Sequence, residues 1–539
     1  HAVAKGIAFT ASLSYDLGWC SIDCRDRIHA LLEKFGYDLS IGFSPSDVAN
    51  AMASDKKRSG DSIKFIINRD VGQAEIKLIS LTKLGKILAT YSEMFPGTSE
   101  IVHGGAPLFA PLQEVSAPPS KSYLHREIIA AMLSGHELEL DAQEASEDII
   151  ATYEAVKIIS NHANYSALRV LESRIVSADD KLILECKESG STLRFLLPVV
   201  AVLGLDAEFR LAGRLRERPM QQLISQLEEH GASITLSDSG SISISASSSH
   251  ITPGEFNFTN PESSQYISGL LFALPLLNGD SVIRVHNNLE SYSYVLITLD
   301  VLGKYGIKVD YSHTNKEWVF NIPGNQTYTF TDISPEGDWS NAAFLLALGV
   351  FGKAPLRINN LPLPSKQGDI KILDLLEEFG VTVNRYSDIL DVNAGCVDIF
   401  PCKELSAINS IDASGFPDLV PILALIACVA SGKTVIRNAE RLRYKESDRL
   451  TATCKVLRSL GADISETEDG LIIEGVETLR GSYEGDGCGD HRIIMMIAVS
   501  SLISEGIIRI HEASAVAKSY PNFFEVIKLL GFDDNLELV

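Results

Sequence analysis

The sequence predicts an α/β protein in which helices and short strands alternate through most of the chain. One observation is a recurring amphipathic helix that ends at a glycine and is followed by a strand, as in "LISQLEEHGASI" and "ILDLLEEFGVTV". Glycine adopts the left-handed backbone conformation that ends many helices. The glycines of this series are separated by 75, 74, 81 and 70 residues, and they are Gly231, Gly306, Gly380, Gly461 and Gly531.

A second observation is a series of helices that begin with a polar motif and continue with small and apolar residues. "NAAFLLALGVFG" is apolar nearly all round, so strands must surround this helix instead of leaving it on a surface. Alternating or β-branched strands such as "SVIRVHN" and "GIIRIHEA" lie between the helices. We therefore predict six equivalent units with their helices inside and their strands outside. The six heads are marked by Ser122, Gly190, Ser264, Asp338, Asp418 and Asp490.

The polar heads predict an anionic ligand. A helix N-terminus exposes unpaired N–H groups and the positive end of the peptide dipole, and Lys121, Ser122 and Arg126 add further donors to the first head. For one head alone, a serine cap beside two solvated cations explains the same residues equally well. A cap does not explain why the other heads also carry Arg, Gln and Asp. Six heads that face one cleft would supply positive potential there.

Length, charge and hydropathy exclude several classes of protein. With 539 residues, the chain exceeds what one hydrophobic core usually supports, so we expect several domains. Its 47 Lys and Arg residues against 70 Asp and Glu residues give a net charge of −23, which argues against nucleic acid and anionic membranes as partners. The longest apolar runs fall short of the roughly 20 residues of a membrane span. The N-terminus lacks the basic region of a signal peptide, so we expect a cytoplasmic protein.

The eight cysteines are dispersed, and several lie in apolar helical runs. The pair in "WCSIDC" has no further His or Cys at metal-ligand spacing. We therefore expect neither a disulfide framework nor a metal site.

Residues 1–95 do not join the repeat and predict a small, mostly helical segment. "CRDRIHALLEKFGYD", "PSDVANAMASDKK" and "LTKLGKILATYSEMF" are typical of helices, and "SIKFIINRDVGQAEIKLI" is typical of a β-hairpin. "PGTSEIVHGGAPLFAP" contains the Gly and Pro residues of a connection, so we place a linker at residues 96–102.

From about residue 100 onward, the motifs "PPSKSYLHR", "ESGSTLR", "RERP", "SSQY", "QGD", "FPD", "RYKESDR", "GDHR" and "AKSYPNFF" follow one another. In this order the sequence resembles the 5-enolpyruvylshikimate-3-phosphate synthase family. The resemblance implies a two-domain inside-out α/β barrel of six βαβαββ repeats. Residues 103–119 plus 336–539 would form the first transferase domain, and residues 120–335 would form the second.

The resemblance also implies a reaction. The enolpyruvyl group of phosphoenolpyruvate passes to the 5-hydroxyl of shikimate 3-phosphate, phosphate leaves, and no cofactor or metal takes part. We expect a monomer whose partners are these two small molecules. Asp418 would remove the hydroxyl proton, Glu446 would protonate the methylene carbon, and Lys121 would assist. Which carboxylate acts in the second step stays open.

The family's binding residues carry over motif by motif. Asp490 and His491 would orient Arg492, whereas Asp338, Gln367 and Asp369 would have structural roles. Phosphoenolpyruvate would contact Lys121, Gly190, Arg218, Gln265, Arg449, Arg492 and Lys518. Shikimate 3-phosphate would contact Lys121, Ser122, Arg126, Ser263, Ser264, Gln265, Ser291, Asp418 and Lys445.

The sequence departs from the family pattern at three places. Pro119 stands where glycine is frequent, and Glu188 and Arg441 each stand where asparagine is common. Each departure affects a peripheral contact. Three other functions stay open at this point: an enolpyruvyl transferase that uses a UDP-sugar, a dehydroquinate synthase that needs NAD and zinc, and a non-catalytic protein that binds phosphorylated metabolites.

The first segment resembles the C-terminal end of 3-dehydroquinate synthase, through "HAVAKGIAFTASLSYDLGW" and "DKKRSGDSIKFIINRDVGQA". In that family, the NAD-binding domain and most metal ligands lie upstream of this end. We therefore expect residues 1–95 to be a fragment that cannot synthesise dehydroquinate.

Overall fold

The computed structural model divides the chain into two compact units, residues 1–109 and residues 110–539. The residues that it describes are 7–8, 10–11, 14–15, 20–35, 58–59, 62–70, 73–80, 112–136, 140, 145–163, 181–237, 240–245, 251–287, 289–331, 335–387 and 395–539.

In the first unit, the predicted hairpin is confirmed. Strands β1 (Arg58–Ser59), β2 (Ser62–Asp70) and β3 (Gln73–Ser80) form an antiparallel sheet in that order. The helix predicted for "CRDRIHALLEKFGYD" is present as α1 (Ile22–Lys34). The helices predicted for "PSDVANAMASDKK" and "LTKLGKILATYSEMF", and the predicted linker, lie outside the described residues.

Among its described residues, the second unit contains four sheets with the same topology. In each sheet, two parallel strands are followed by an antiparallel hairpin whose second strand pairs with the second parallel strand. The chain order is strand, helix, strand, helix, strand, strand, so the predicted alternation is confirmed. The strands, in their order across each sheet, are β5 (Leu182–Lys187), β6 (Ala207–Leu211), β8 (Ile242–Ile244) and β7 (Ile234–Leu236); β9 (Glu255–Thr259), β10 (Ser281–His286), β12 (Glu317–Ile322) and β11 (Asp310–Thr314); β4 (Gln113–Ser116), β13 (Leu356–Asn359), β15 (Gly395–Ile399) and β14 (Val383–Ser387); β16 (Ile411–Asp412), β17 (Lys433–Arg437), β19 (Leu471–Glu474) and β18 (Asp463–Glu466).

A fifth sheet is wholly parallel and lies near the C-terminus. It consists of β20 (Tyr483–Gly485), β21 (Ile508–Ile510) and β22 (Leu536–Leu538).

The helices of the second unit lie between these strands. They are α2 (Lys121–Leu133), α3 (Glu147–Ala163), α4 (Gly190–Leu203), α5 (Gln221–Glu229), α6 (Gln265–Ala273), α7 (Tyr292–Lys304), α8 (Trp339–Phe351), α9 (Ile372–Glu378), α10 (Val420–Cys428), α11 (Arg449–Ser459), α12 (His491–Ser500) and α13 (Phe523–Leu529).

One long segment is inserted between two neighbouring strands of a sheet. Strand β4 pairs in parallel with β13, although more than two hundred residues separate them in the chain. The two connections between this inserted segment and the rest of the unit lie side by side. Ser120 N donates to Glu336 O at 2.8 Å, and Asp338 N donates to Pro118 O at 2.8 Å. Residues 120–335 therefore leave and re-enter the rest of the unit at one place.

The glycine-terminated helices are confirmed. Gly231, Gly306, Gly380, Gly461 and Gly531 follow α5, α7, α9, α11 and α13, and their φ angles are 104°, 80°, 94°, 92° and 70°. These angles lie in the left-handed region, where a side chain would be strained. The repeated glycine therefore ends each helix and turns the chain toward the next strand.

The polar-headed helices are also confirmed, and they are buried as predicted. Every residue from Trp339 to Val350 of α8 is buried, and so is every residue of α10. Ser120, Ser189, Asp338 and Asp490 cap α2, α4, α8 and α12, and each side chain accepts a hydrogen bond from a backbone N–H in the first turn. Each of these four N-termini therefore has a capping residue in addition to the other polar residues of its motif.

The apolar side chains of the second unit form two separate cores. One is built from residues between Tyr123 and Tyr328. The other is built from Val115, Ala117 and residues between Trp339 and Phe532. The inserted segment thus has a core of its own.

The eight cysteines, all of which lie among the described residues, form no disulfide. Among the described helices, none is both long and apolar enough to cross a membrane. Within the same residues, no group of three or more His, Cys, Asp and Glu side chains could hold a metal ion.

Candidate active site

The guanidinium of Arg449 lies at the centre of a buried cluster of charges. Its Nη1 donates to Asp418 Oδ1 at 2.7 Å, its Nη2 donates to Glu446 Oε2 at 2.6 Å, and its Nε donates to Asp490 Oδ2 at 2.8 Å. Arg449 begins α11, whereas Asp418 and Asp490 belong to the heads of α10 and α12. One cation therefore brings together three carboxylates that the sequence places in three different motifs.

Asp418 is surrounded by further cations. Lys445 Nζ and Arg492 Nη2 each lie 3.6 Å from its oxygens, and Tyr294 donates its hydroxyl to Oδ2 at 3.1 Å. Burial alone would raise the pKa of Asp418, but the positive charges of Lys445, Arg492 and Arg449 lower it far below the usual range of a carboxyl. Asp418 is therefore ionised in the site.

Glu446 joins this cluster to Arg218, which comes from the inserted segment. Arg218 Nη2 lies 3.3 Å from Glu446 Oε1 in an ion pair without hydrogen-bond geometry. Burial would raise the pKa of Glu446, but Arg449 and Arg218 lower it well below its ordinary value. The cluster thus connects the two cores.

Several buried guanidinium nitrogens have no hydrogen-bond acceptor among the described residues. They are Nε and Nη2 of Arg218, Nε and Nη1 of Arg492, and Nε of Arg194. A buried donor without an acceptor is destabilising, more so when it is charged. These donors point to an anion or a polar ligand as the missing partner.

Gly190, the first residue of α4, leaves space beside these arginines. A Cβ atom at this position would lie 3.0 Å from Arg194 Nη1 and 3.3 Å from Arg218 Nη1. Gln265 borders the same space, where its Oε1 accepts from Arg194 Nη1 at 2.8 Å and its Nε2 donates to Ser191 Oγ at 2.9 Å. The absent side chain keeps the N-terminus of α4 open between two guanidinium groups, as a close approach by an anion requires.

Both predicted lysines at the edge of the cluster are paired with carboxylates. Lys121 Nζ lies 3.0 Å from Asp148 Oδ2, and Lys518 Nζ donates to Glu188 Oε2 at 2.9 Å and to Gly489 O at 3.1 Å. These ammonium groups belong to opposite cores, since Lys121 begins α2 and Lys518 ends a 3₁₀ helix before α13.

The predicted serines lie in two loops of the inserted segment. Ser263 Oγ accepts a hydrogen bond from Gln265 N at 3.3 Å, and Ser264 directly precedes α6. Ser291 has a φ of 54°, and its backbone N donates to Ser414 O at 3.1 Å, in the loop that leads to Asp418. The loop of Ser291 thus contacts the segment that leads to Asp418.

The side chain of Arg126 is bound to other groups of the protein, unlike that of a residue left open to a substrate. Its side chain is buried, and its three nitrogens donate to Thr298 Oγ1 at 2.7 Å, to Ser122 O at 2.6 Å and to Tyr294 O at 2.9 Å. Arg126 therefore holds the start of α2, with Ser122, against the start of α7. We expect it to affect a ligand at Ser122 through this packing and through its charge.

The residues that we predicted to be structural contact the first turns of α2 and α8. Asp338 caps α8 and accepts from Lys121 N at 3.0 Å, and Gln367 accepts from Trp339 N at 3.1 Å. Asp369 is buried and accepts a hydrogen bond from the Ser340 hydroxyl; burial, together with the charge of Asp418, raises the pKa of Asp369 to about 7. For His491, burial holds the pKa well below its ordinary value, so the ring beside Arg492 is neutral.

Three site residues were missed by sequence reasoning. Arg194 and Asp148 contact Gln265 and Lys121, which we predicted to bind substrates. Tyr294 contacts Asp418. Arg194 could have been found, because it is the lone charge in the apolar helix "GSTLRFLLPVV". Asp148 and Tyr294 lie in ordinary amphipathic helices and carry no comparable signal.

Comparison with known proteins identifies relatives of the second unit. A family model described as EPSP synthase (3-phosphoshikimate 1-carboxyvinyltransferase) matches residues 110–527. The chain is 40% identical over 423 residues to the 3-phosphoshikimate 1-carboxyvinyltransferase of Clostridium kluyveri, a match that covers 78% of this chain and 95% of that protein. The protein of the same name from Clostridium acetobutylicum is 38% identical over 427 residues, with 78% and 95% covered.

Solved structures support the α/β fold. EPSP synthase from Acinetobacter baumannii matches with a TM-score of 0.59 and 23% identity, over 77% of this chain and 95% of that chain. The enolpyruvyl transferase NikO from Streptomyces tendae matches with a TM-score of 0.55 and 20% identity, over 80% of this chain and 96% of that chain. At these identities the likeness concerns the fold alone.

Proposed function

The chain belongs to the EPSP synthase (3-phosphoshikimate 1-carboxyvinyltransferase) family, and we propose that the cluster around Arg449 is the centre of its active site. The reaction is the transfer of the enolpyruvyl group of phosphoenolpyruvate to the 5-hydroxyl of shikimate 3-phosphate, with release of phosphate. One observation carries the proposal: Arg449 holds Asp418 and Glu446 within 2.7 Å, beside buried arginine donors that lack acceptors. Two carboxylates for proton transfer thus lie next to cations for anionic substrates.

Phosphoenolpyruvate would bind between the two cores, at the open N-terminus of α4. The unpartnered donors of Arg218 and Arg492 and the neighbouring ammonium of Lys518 suit a phosphate and a carboxylate. Gly190 would let the phosphate approach the helix N-terminus closely. The remaining contacts would come from Lys121, Gln265 and Arg449.

Shikimate 3-phosphate would bind along the inserted segment. Its carboxylate would lie near Ser122 and the charge of Arg126, and its phosphate would lie near Ser263, Ser264 and Ser291. Lys445 would complete the phosphate site from the side of Asp418, whose oxygen is 3.6 Å from the lysine nitrogen. Gln265 would contact both substrates.

Asp418 would take the proton of the 5-hydroxyl as that oxygen bonds to C2 of phosphoenolpyruvate, while Glu446 gives a proton to the methylene carbon. The tetrahedral ketal phosphate would then lose a methyl proton and phosphate. Cations hold the pKa of both carboxyls low in the free site. Bound phosphate and carboxylate groups would share those cations and raise both pKa values, which improves Asp418 as a base and lets Glu446 carry a proton.

For the architecture, we propose two domains, formed by residues 103–119 plus 336–539 and by residues 120–335, each an inside-out barrel of three βαβαββ units. The separate cores, the common strand order of four sheets and the complete burial of α8 and α10 support this proposal. The division also agrees with the place where the inserted segment leaves and re-enters the unit.

For the first unit, we propose that residues 1–95 are a fragment related to the C-terminal end of 3-dehydroquinate synthase. The motifs quoted above support this, and the family match to the transferase begins only at residue 110. None of the proposed substrate contacts lies in residues 1–95.

Phosphate release tests the assignment of the site. We expect release when both shikimate 3-phosphate and phosphoenolpyruvate are present, with the same rate after treatment with a chelator. A UDP-sugar in place of shikimate 3-phosphate should give no release. If Asp418→Asn and Glu446→Gln both keep full activity, the Arg449 cluster is not the catalytic centre.

A further inference from the structure

Arg441 contacts two loops of the inserted segment, although it belongs to the part of the unit that contains Asp418. It lies in the 3₁₀ helix Glu440–Tyr444, four residues before Lys445. Its Nε lies 2.5 Å from Glu290 Oε2, and its Nη2 donates to the backbone oxygen of Pro261 at 2.6 Å. The contact with Glu290 is an ion pair, and the contact with Pro261 is a hydrogen bond from a charged donor, which is stronger than one between neutral groups.

Both contacts lie next to serines that belong to the proposed phosphate site. Pro261 precedes Ser263 by two residues, and Glu290 directly precedes Ser291. Ser291 has a left-handed backbone, which a residue with a side chain keeps only when its surroundings enforce it. Since Arg441 fixes the residue before Ser291, it helps to enforce that conformation.

Charge gives Arg441 a second effect at the same place. Glu262 and Glu290 directly precede Ser263 and Ser291, so each serine loop carries a carboxylate that would repel a phosphate. Both carboxylates interact with Arg441, and their charges work against the lowering of its pKa that burial causes. The guanidinium therefore offsets negative charge at the point where the proposed substrate is most negative.

We propose that Arg441 is a positioning residue for shikimate 3-phosphate, which holds the loops of Ser263 and Ser291 in place and neutralises the carboxylates beside them. This inference rests on the proposed function, in which these serines bind the phosphate. Asparagine, which is common at this position in the family, could offer hydrogen bonds but no charge. In this chain, Glu290 and Arg441 therefore act as a matched pair.

Steady-state kinetics and calorimetry of Arg441→Asn test the proposal. We expect the KM and the Kd for shikimate 3-phosphate to rise on the order of tenfold, because one positive charge next to a phosphate dianion is lost. The KM for phosphoenolpyruvate and the kcat at saturation should stay within about twofold. The control is Arg437→Asn, which removes the same charge from an exposed arginine at the end of β17 and should change neither KM.

Two further variants separate a specific effect from a general loss of structure. Adding Glu290→Gln to Arg441→Asn should recover much of the lost affinity, because the carboxylate whose charge Arg441 offset is then removed as well. Arg441→Lys keeps the charge and should be affected less than Arg441→Asn. An unchanged KM for shikimate 3-phosphate in Arg441→Asn, or no recovery in the double variant, would overturn the proposal.

The variant Ser264→Ala distinguishes a failure of the Arg441 proposal from a failure of the proposed function. If Ser264→Ala raises the KM for shikimate 3-phosphate and Arg441→Asn does not, only the role of Arg441 is wrong. If Ser264→Ala has no effect, the serine assignment in the proposed function is wrong, and the positioning role fails with it.

Discussion

Lys518 Nζ lies 2.9 Å from Glu188 Oε2, although 330 positions separate the two residues in the chain. Glu188 thereby pairs with one of the cations that we assign to phosphoenolpyruvate. Its carboxylate also covers Gly213, where a Cβ atom would lie 2.1 Å from Glu188 Oε1. A binding anion must compete with this carboxylate, which stands where asparagine is frequent in the family.

Replacing Glu188 by Gln should therefore improve the binding of phosphoenolpyruvate. The amide keeps the size of the side chain but removes a negative charge beside Lys518, so we expect the KM for phosphoenolpyruvate to fall about two- to tenfold. The KM for shikimate 3-phosphate should change little. Steady-state kinetics with each substrate varied in turn would measure both values.

The control for this variant is Glu185→Gln, which removes a charge from the same strand region. Glu185 is exposed and pairs with Arg210. It should leave both KM values unchanged. A rise in the KM for phosphoenolpyruvate in Glu188→Gln would mean that Glu188 holds Lys518 in place instead of competing with the substrate.

Asp418→Asn should cause a chemical defect. Asparagine keeps the shape of the side chain and can still accept from Arg449, but it cannot take the hydroxyl proton. We expect kcat to fall by on the order of 10² to 10⁴ while shikimate 3-phosphate still binds. Calorimetric titration beside steady-state rates would separate the two effects. Near-normal turnover would show that another carboxylate, with Glu446 first in line, is the base.

Arg218→Ala should instead cause a binding defect. It deletes charged donors that have no acceptor among the described residues, and a charge-assisted contact contributes roughly 1.5 to 3 kcal/mol. We expect the affinity for phosphoenolpyruvate to fall by on the order of tenfold to a hundredfold. The matched control is Arg210→Ala, since Arg210 is exposed and pairs with Glu185 and Glu208. Equal losses in the two variants would contradict the assignment of Arg218.

Periodicity alone predicted the elements of the fold well. The five glycines after helices and the six polar heads were visible because each repeats a local physical requirement, a left-handed residue or a capped N-terminus. The insertion between β4 and β13 was not visible in this pattern, because pairing between distant strands leaves no periodic trace. Only the resemblance to a family indicated where the chain crosses.

The candidate site was predicted less completely than the fold. The motifs pointed to Asp418, Glu446 and Arg449, but the hydrogen bonds of Arg126 depend on Thr298, which belongs to another helix. Ion pairs such as Lys518 with Glu188 join distant parts of the chain. Sequence patterns report what a residue can do locally, and these contacts are set by the tertiary fold.

Removing residues 1–109 should leave the transferase activity intact. The second unit begins at Ala110, the family match begins at the same residue, and all proposed substrate contacts follow it. We expect kcat and both KM values within about twofold of those of the full chain, since compact domains usually fold independently. A truncated protein that gives a cooperative unfolding transition but lacks activity would contradict this expectation.

Glu127→Gln should stabilise the protein at alkaline pH. Glu127 is buried in α2, and its Oε1 has no hydrogen-bond partner among the described residues. Burial raises the pKa of this carboxyl from 4.5 to about 8, although the charge of Lys304 opposes the rise. Between these two pH values, the folded state holds a proton that the unfolded state has lost. The free energy of unfolding therefore falls as pH rises through this window, and it is unaffected by Glu127 below about pH 4.5.

The expected gain in stability follows from the direction of this pKa shift. Glutamine is neutral at every pH, so the free energy of unfolding of the variant should exceed that of the wild type by only about 1 kcal/mol near pH 5 and by on the order of 4 kcal/mol at pH 8. Urea unfolding of both proteins at pH 5, 6.5 and 8 would measure the difference. Glu378→Gln, at an exposed position of α9, is the control and should show no difference that depends on pH. If the gain from Glu127→Gln is the same at pH 5 and pH 8, Glu127 is not protonated in the folded protein, and its buried carboxylate must be compensated by Lys304.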